Sequence, residues 1–220
     1  IPRYGLTEIL LKMTNDFLIR KIAKPIFFFA LLLPLLWIIW KVAFGDLGVG
    51  LNANPVEMVN RYLGDWALRF ILLTLCITPL AVITGWSTPV RFRRMIGLFA
   101  FTYALLHVAN YVIADQFLNW NDILADIIKR KYISVGMVTF IILLALAITS
   151  PTAVVKWLGA KRWRMVHRCV YLAGIGAVIH HWMMIKADLT QPIVHAVILG
   201  VLLIFRALNS LRKSHKVRPR

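Results

Sequence analysis

Three histidines, His167, His180 and His181, lie within the otherwise apolar residues 167–182. A fourth, His107, lies in another apolar segment. Ionisable side chains are costly in such surroundings, so they usually serve a function there. Neutral imidazole is a common metal ligand and also relays protons. The pattern therefore indicates metal ligation or proton transfer between helices.

The composition is that of an integral membrane protein. Of the 220 residues, 60% are hydrophobic and 16% are charged, far from the balance of a soluble domain. The net charge of +17 fits membrane topology and contact with lipid headgroups, and the long apolar segments argue against nucleic-acid binding. Cys76 and Cys169 both lie in apolar segments, so the sequence offers neither a disulfide framework nor a CxxC site.

Six segments are apolar over the about 20 residues that a helix needs to cross a bilayer. The sequence therefore predicts an all-α integral membrane protein. Its six-transmembrane-helix bundle covers residues 26–208, between an N-terminal segment 1–25 and a basic tail 209–220. The six spans are Pro25 to Phe44, Trp66 to Thr84, Ile96 to Ala114, Ile133 to Thr149, Val166 to Ile185 and Pro192 to Leu208.

Basic residues set the predicted orientation, because cytoplasmic loops are rich in lysine and arginine. With a cytoplasmic N-terminus, 18 of the 26 basic residues fall on the cytoplasmic side: five before the first span, three before the third, four before the fifth and six from Arg206 onward. Both termini are therefore predicted to be cytoplasmic. The remaining connections include two expected interfacial amphipathic turns, Asn54 to Leu63 and Trp120 to Ile128.

Depth brings two of the histidines together. His107 lies seven residues before the outer end of the third span and His180 five before that of the fifth, so both are about 8 to 11 Å inside the outer boundary. Two imidazoles at one depth are expected to clamp a metal, and haem iron suits an apolar slot without carboxylate or cysteine ligands. Helix-to-helix hydrogen bonding and a proton relay are the alternatives.

His167, at the inner end of the fifth span, lies about 20 Å below His180. Arg93 and Arg94 occupy the same depth on the third span, where they either bind the propionates of a second haem or mark the positive-inside loop. Rotation along an ideal helix places His181 within about 40° of His167 and His180 about 140° away. Rotation thus favours His181 as the partner of His167, whereas depth favours His180 as the partner of His107.

Two further expectations concern packing. The small residues Ala173, Gly174, Gly176 and Ala177 are expected to let a flat macrocycle or a neighbouring helix approach closely. His195, near the start of the sixth span on the outer side, is expected to make hydrogen bonds at the surface, and the alternative is a contact with the outer site.

Four stretches then carry a resemblance. They are GDWALRFILLTLCITPL in the second span, RFRRMIGLFAFTYALLHV leading into the third, LALAITS closing the fourth, and WRMVHRCVYLAGIGAVIHHW in the fifth. The chain resembles the MsrQ (YedZ) family, haem-binding membrane subunits of the periplasmic methionine sulfoxide reductase system within the ferric reductase-like transmembrane superfamily. The likeness covers roughly residues 26 to 208.

The resemblance implies a site. His107 and His180 match the family's axial ligands of an outer haem b, with His181 beside them as a supporting residue. His167 matches a haem-associated histidine at the inner side, and Arg93 and Arg94 lie there as cofactor-binding residues. Related reductases carry a second histidine where this chain has Arg93, so one haem or two remains open. Bound FMN is also implied.

The resemblance also implies a function. Electrons from quinones, or from a cytoplasmic flavin reductase, pass through a multi-pass protein of the bacterial inner membrane to a periplasmic molybdopterin-containing methionine sulfoxide reductase of the MsrP type. The chain is then a redox subunit rather than a complete enzyme. The sequence contains no GxGxxG or P-loop motif, so reducing power is expected from another molecule. The alternatives are a stand-alone ferric-chelate or quinone reductase and a histidine-based proton-coupled transporter.

Overall fold

The structure, a computed structural model, describes residues 16–45, 54–185 and 188–216. These residues form eight α-helices and no β-strand. A π-helical turn precedes α1, a 3-10 turn precedes α3 and a second π-helical turn follows α3. The helices are α1 Lys24–Ala43, α2 Pro55–Thr84, α3 Arg93–Asn110, α4 Trp120–Lys129, α5 Lys131–Ile148, α6 Thr152–His167, α7 Val170–Met184 and α8 Thr190–Lys216.

The helices belong to two compact units, and the boundary between the units in the sequence falls between residues 49 and 50. In the first unit, α1 is a single apolar helix with Pro34 in its interior. The second unit contains α2 to α8 and all the candidate site residues. In it, α2 lies beside α3, α7 and α8, and α5 lies beside α7.

Five helical segments among the described residues are long and apolar enough to cross a membrane, which confirms an all-α, multi-pass membrane protein. The fifth predicted span is the one missing from these five, because α7 has 15 residues and spans only about 22 Å of a hydrocarbon core about 30 Å thick. The six-span count and the cytoplasmic placement of both termini stay predictions. The five segments are Asp16–Ala43, Pro55–Thr84, Thr88–Asp115, Lys131–Ile148 and Thr190–Arg212.

The fifth predicted span is wrong at its start. The chain turns at Arg168 and Cys169, so His167 ends α6 and α7 begins at Val170. The preceding connection is itself mostly helical, with a break at Gly159, whose φ of 74° lies in the left-handed region that glycine adopts without steric cost.

The two expected interfacial turns have different outcomes. The segment from Trp120 forms the short helix α4, and its position at the membrane interface stays a prediction. Asn54 to Leu63 is not a separate turn, because its residues continue into α2 as one helix. The Asn54 side chain caps that helix by accepting hydrogen bonds from the backbone N–H groups of Val56 and Glu57, at 3.0 and 3.4 Å, which satisfies donors that a helix start leaves unpaired.

The small residues of α7 pack against neighbouring helices, as expected. Ala173 is fully buried. A Cβ placed on Gly174 would lie 3.2 Å from Leu75 of α2 and 3.3 Å from Leu199 of α8, and a Cβ on Gly176 would collide with the Thr139 hydroxyl of α5. These glycines therefore set how closely α7 approaches three other helices.

The Gly176 contact predicts a stability change. Gly176→Ala should destabilise the protein by about 1–3 kcal/mol through overpacking against Thr139, although alanine favours a helix over glycine. Thr139→Ala in the same chain should recover much of the loss, because the double variant removes the colliding hydroxyl. Unfolding in detergent by heat or denaturant measures both effects. Unchanged stability in Gly176→Ala would contradict the packing.

Candidate cofactor sites

His107 of α3 and His180 of α7 face each other across a cavity in the second unit. Their ring centroids are 6.1 Å apart and the ring planes are inclined by 80°. Both rings line a cavity of about 650 Å³, called the outer cavity here after the predicted topology. Its remaining wall is largely apolar and includes Leu68 of α2 and Leu143 of α5. The structure thus brings together the two histidines that the depth argument pairs.

Each of these histidines makes one hydrogen bond to the backbone of a neighbouring helix. His107 Nδ1 lies 2.8 Å from the carbonyl oxygen of Asn60, and His180 Nδ1 lies 2.7 Å from that of Tyr132. A carbonyl oxygen only accepts, so both Nδ1 atoms carry the proton and both Nε2 atoms keep a lone pair. This is the arrangement in which metal-binding histidines are usually held.

The spacing of the pair suits one shared metal. With metal–imidazole bonds of about 2.0–2.1 Å, two rings on opposite sides of an ion have centroids about 6 Å apart. In the part of the chain that the structure describes, no group of three or more His, Cys, Asp or Glu side chains can hold a metal ion. A bare ion commonly needs about four protein ligands, whereas haem iron needs only axial ones. The donor set therefore fits haem.

His181 belongs to a different cluster. Its Nδ1 lies 3.5 Å from a carboxylate oxygen of Asp65, and its ring centroid lies 5.2 Å from that of His195. Both histidines are buried, with 6% and 5% of their surface exposed, so the expected surface position of His195 is wrong. His181 Nε2 and His195 Nδ1 have no hydrogen-bond partner among the described residues. Successive residues of a helix point about 100° apart, which separates His181 from His180.

Arg93, Arg94 and His167 line a second cavity of about 430 Å³, the inner cavity. Arg164 and Arg168 also line it, and no described lining residue is acidic. Arg93 Nη1 donates to the Thr78 hydroxyl at 3.4 Å, and Arg94 Nη1 to that of Thr152 at 3.5 Å. The lining of the inner cavity is therefore positively charged, which favours an anionic group.

His167 is held differently from the outer pair. The Thr149 hydroxyl donates to the carbonyl of Ala145 at 2.7 Å, so its oxygen accepts from His167 Nε2, 3.2 Å away. The His167 ring also packs on Trp163, with centroids 4.2 Å apart. Because the chain turns after His167, an angle measured along one continuous helix does not relate His167 to His180 or His181.

Sequence reasoning missed the groups that support the histidines. The carbonyls of Asn60 and Tyr132 carry no sequence signal, since every residue has a carbonyl. Asp65 did give one, because it is a carboxylate within a long apolar helix. Arg206 gave another sequence signal, because it is an arginine within the long helix α8. In the structure its guanidinium donates to the Tyr171 hydroxyl at 2.5 Å and to a carbonyl of α2 at 2.7 Å.

Comparison with known proteins defines the class first. The family described as ferric reductase like transmembrane component matches residues 63–178, which is more than half of the chain. The matched range includes His107 and His167 and ends before His180 and His181. The protein is therefore a multi-pass membrane protein of the ferric reductase-like class.

Three relatives define the family more closely. Each is called "Protein-methionine-sulfoxide reductase heme-binding subunit MsrQ". The relative from Rhodospirillum rubrum is 47% identical over 191 residues, covering 87% of this chain and 90% of its own. Those from Herminiimonas arsenicoxydans and Caulobacter vibrioides are 42% and 40% identical, covering 88% and 84% of this chain and 88% and 87% of their own. The chain belongs to the MsrQ family.

Proposed function

We propose that this protein is the haem b-binding electron-transfer subunit of a protein-methionine-sulfoxide reductase system, with His107 and His180 as the axial ligands of the outer haem. One observation carries the proposal: the two imidazoles lie 6.1 Å apart, and each is fixed through Nδ1 by a backbone carbonyl. The names of the relatives, which are heme-binding subunits, agree with this use of the pair.

The protein's part in the chemistry is to hold and shield the redox centre. Haem iron supplies one-electron redox chemistry when bound. His107 and His180 present their Nε2 lone pairs, and their Nδ1–H bonds fix the ring orientation and raise ligand basicity. The apolar side chains in the lining, among them Leu68 and Leu143, would limit the access of water, which helps to set the potential. His181 and Asp65 line the same cavity and support its shape beside His180.

The inner cavity suits a second, anionic cofactor. Arg93 and Arg94 would pair with haem propionates or with the phosphate of FMN, since a guanidinium binds both kinds of oxyanion. His167 would contact the edge of that cofactor or ligate it after exchange of its bond to Thr149. Ile71 and Leu143 line both cavities, so these two side chains would lie between an inner cofactor and the outer haem.

The two cavities follow one another along α2 and α3, from the arginine-rich end to the end carrying His107. With the arginine-rich end in the cytoplasm, electrons from quinones or a cytoplasmic flavin reductase would travel outward across the bacterial inner membrane. A periplasmic molybdopterin-containing methionine sulfoxide reductase of the MsrP type would accept them. Residues 26–208 form the electron-transfer domain in this proposal.

Haem content tests the ligand pair. His107→Ala and His180→Ala should each lose the outer haem, because one axial ligand is removed. His181→Ala should retain it, because that ring faces Asp65 and His195 instead. Dithionite-reduced minus oxidised spectra, with haem and flavin quantified per chain, measure the outcome. Full haem content in His180→Ala with a loss in His181→Ala would contradict the assignment.

The same counts apply to the inner cavity. His167→Ala should keep the outer haem, and any fall in haem or flavin reports what the inner cavity holds. Parallel loss of one cofactor in Arg93→Ala would support a site shared by both residues.

Electron delivery tests the partner. Reduced protein should be reoxidised faster by the molybdenum-containing reductase with methionine sulfoxide than by a ferric chelate, because the proposed acceptor docks at the outer end. Stopped-flow absorbance at a haem band follows the reaction, with His180→Ala as the control for haem loss. Equal rates with the two oxidants would favour a stand-alone ferric-chelate reductase instead.

A further inference from the structure

Each member of the histidine pair lies against a glycine of the neighbouring helix. A Cβ built on Gly64 would lie 3.1 Å from both Cε1 and Nδ1 of His107. A Cβ built on Gly136 would lie 2.8 Å from the same two atoms of His180. At both glycines, the three nearest atoms to that Cβ belong to the histidine ring. Each histidine ring therefore occupies the space that a side chain at the glycine position would fill.

The two glycines hold equivalent positions in their helices. Gly64 lies four residues after Asn60, and Gly136 lies four residues after Tyr132. In an α-helix the carbonyl of residue i accepts from the N–H of residue i+4. Each histidine thus shares a carbonyl oxygen with the glycine N–H of that turn, and it reaches the oxygen across the glycine.

Backbone conformation does not explain these glycines. Neither is among the glycines with positive φ, and both lie inside helices, where glycine is less favourable than alanine. Close contact is also not general: at Gly200, inside α8, a Cβ would have no atom within 4 Å. The requirement at positions 64 and 136 is for space beside the ring.

We propose that Gly64 and Gly136 are positioning residues for the redox site. Each forms, with the carbonyl four residues before it, a cradle that holds one ligand histidine with Nδ1 protonated and Nε2 directed to the metal. The inference rests on the proposed haem function and deepens it. The two glycines lie outside the proposed ligand pair. They determine whether the His107 and His180 rings have the position and the protonation that haem binding requires.

A graded set of variants tests the cradles. Gly136→Ala should weaken haem binding by about 10-fold or more, the usual cost of disturbing the hydrogen-bond partner of a metal ligand. Gly64→Ala should have a smaller effect, because its contact is looser, and Gly200→Ala should have none. In the haem that Gly136→Ala retains, the midpoint potential should rise, since a lost Nδ1–H bond lowers ligand basicity. Haem titration of the apoprotein and redox titration measure the two changes.

Chemical rescue gives a second test that does not depend on how alanine is accommodated. In His180→Gly, added imidazole should restore the haem spectrum, because its N–H can reach the Tyr132 carbonyl. Added 1-methylimidazole, which has no N–H to donate to that carbonyl, should restore it less well.

The outcomes separate this inference from the proposed function. Wild-type protein without haem would overturn the proposed function. Wild-type protein with haem, combined with binding and potential unchanged in Gly136→Ala, would overturn the cradle alone. Equal rescue by the two imidazoles would also overturn it.

Discussion

An imidazole buried between helices must satisfy its N–H and still keep a lone pair for a metal. The structure meets this demand with backbone carbonyls. A carbonyl accepts a hydrogen bond from Nδ1–H and leaves the Nε2 lone pair free for a metal. The carbonyls of Asn60 and Tyr132 are already part of α2 and α5, so the proposed ligands are fixed by helices and not by mobile side chains. The position of His107 and His180 therefore depends on how closely α3 approaches α2 and how closely α7 approaches α5.

Small residues allow that approach. Gly64 and Gly136 lie under the histidine rings, and Gly174 and Gly176 lie where α7 meets α2, α8 and α5. In a membrane, helices associate through close packing and interhelical hydrogen bonds, since lipid offers no hydrophobic driving force between them. Gly136, which makes room for His180, and Gly176, which permits close packing, thus belong to the same interface between α5 and α7. The packing of α7 against α5 therefore affects both the fold and the position of His180.

Charge distinguishes the two ends of the bundle. The inner cavity is lined by arginines and by no described acidic residue, whereas the outer cavity has a mixed lining of three carboxylates, Glu57, Asp65 and Asp115, and two arginines, Arg61 and Arg130. A basic inner end agrees with the topology rule and also suits an anionic cofactor. In the proposed function, the same arginines would orient the chain in the membrane and hold the inner cofactor.

Sequence reasoning reached the long helices and the His107–His180 pair, because apolar length and helical rise convert directly into depth. It left His180 and His181 undecided, because it assumed one helix through residues that in fact turn at Arg168 and Cys169. It misplaced His195, since a polar residue near a helix start gives no sign of a buried partner on another helix. Contacts between helices distant in sequence place His181 beside Asp65 and bury His195.

The most direct measurement of the central claim is electron paramagnetic resonance of the oxidised protein, made in the His167→Ala variant so that the outer cavity dominates. Two axial imidazoles predict a low-spin ferric signal that is lost, or replaced by a high-spin signal, when His107 or His180 is also replaced by alanine, and that persists when His181 is replaced. A low-spin signal that survives both the His107 and the His180 replacements would contradict a haem held by this pair.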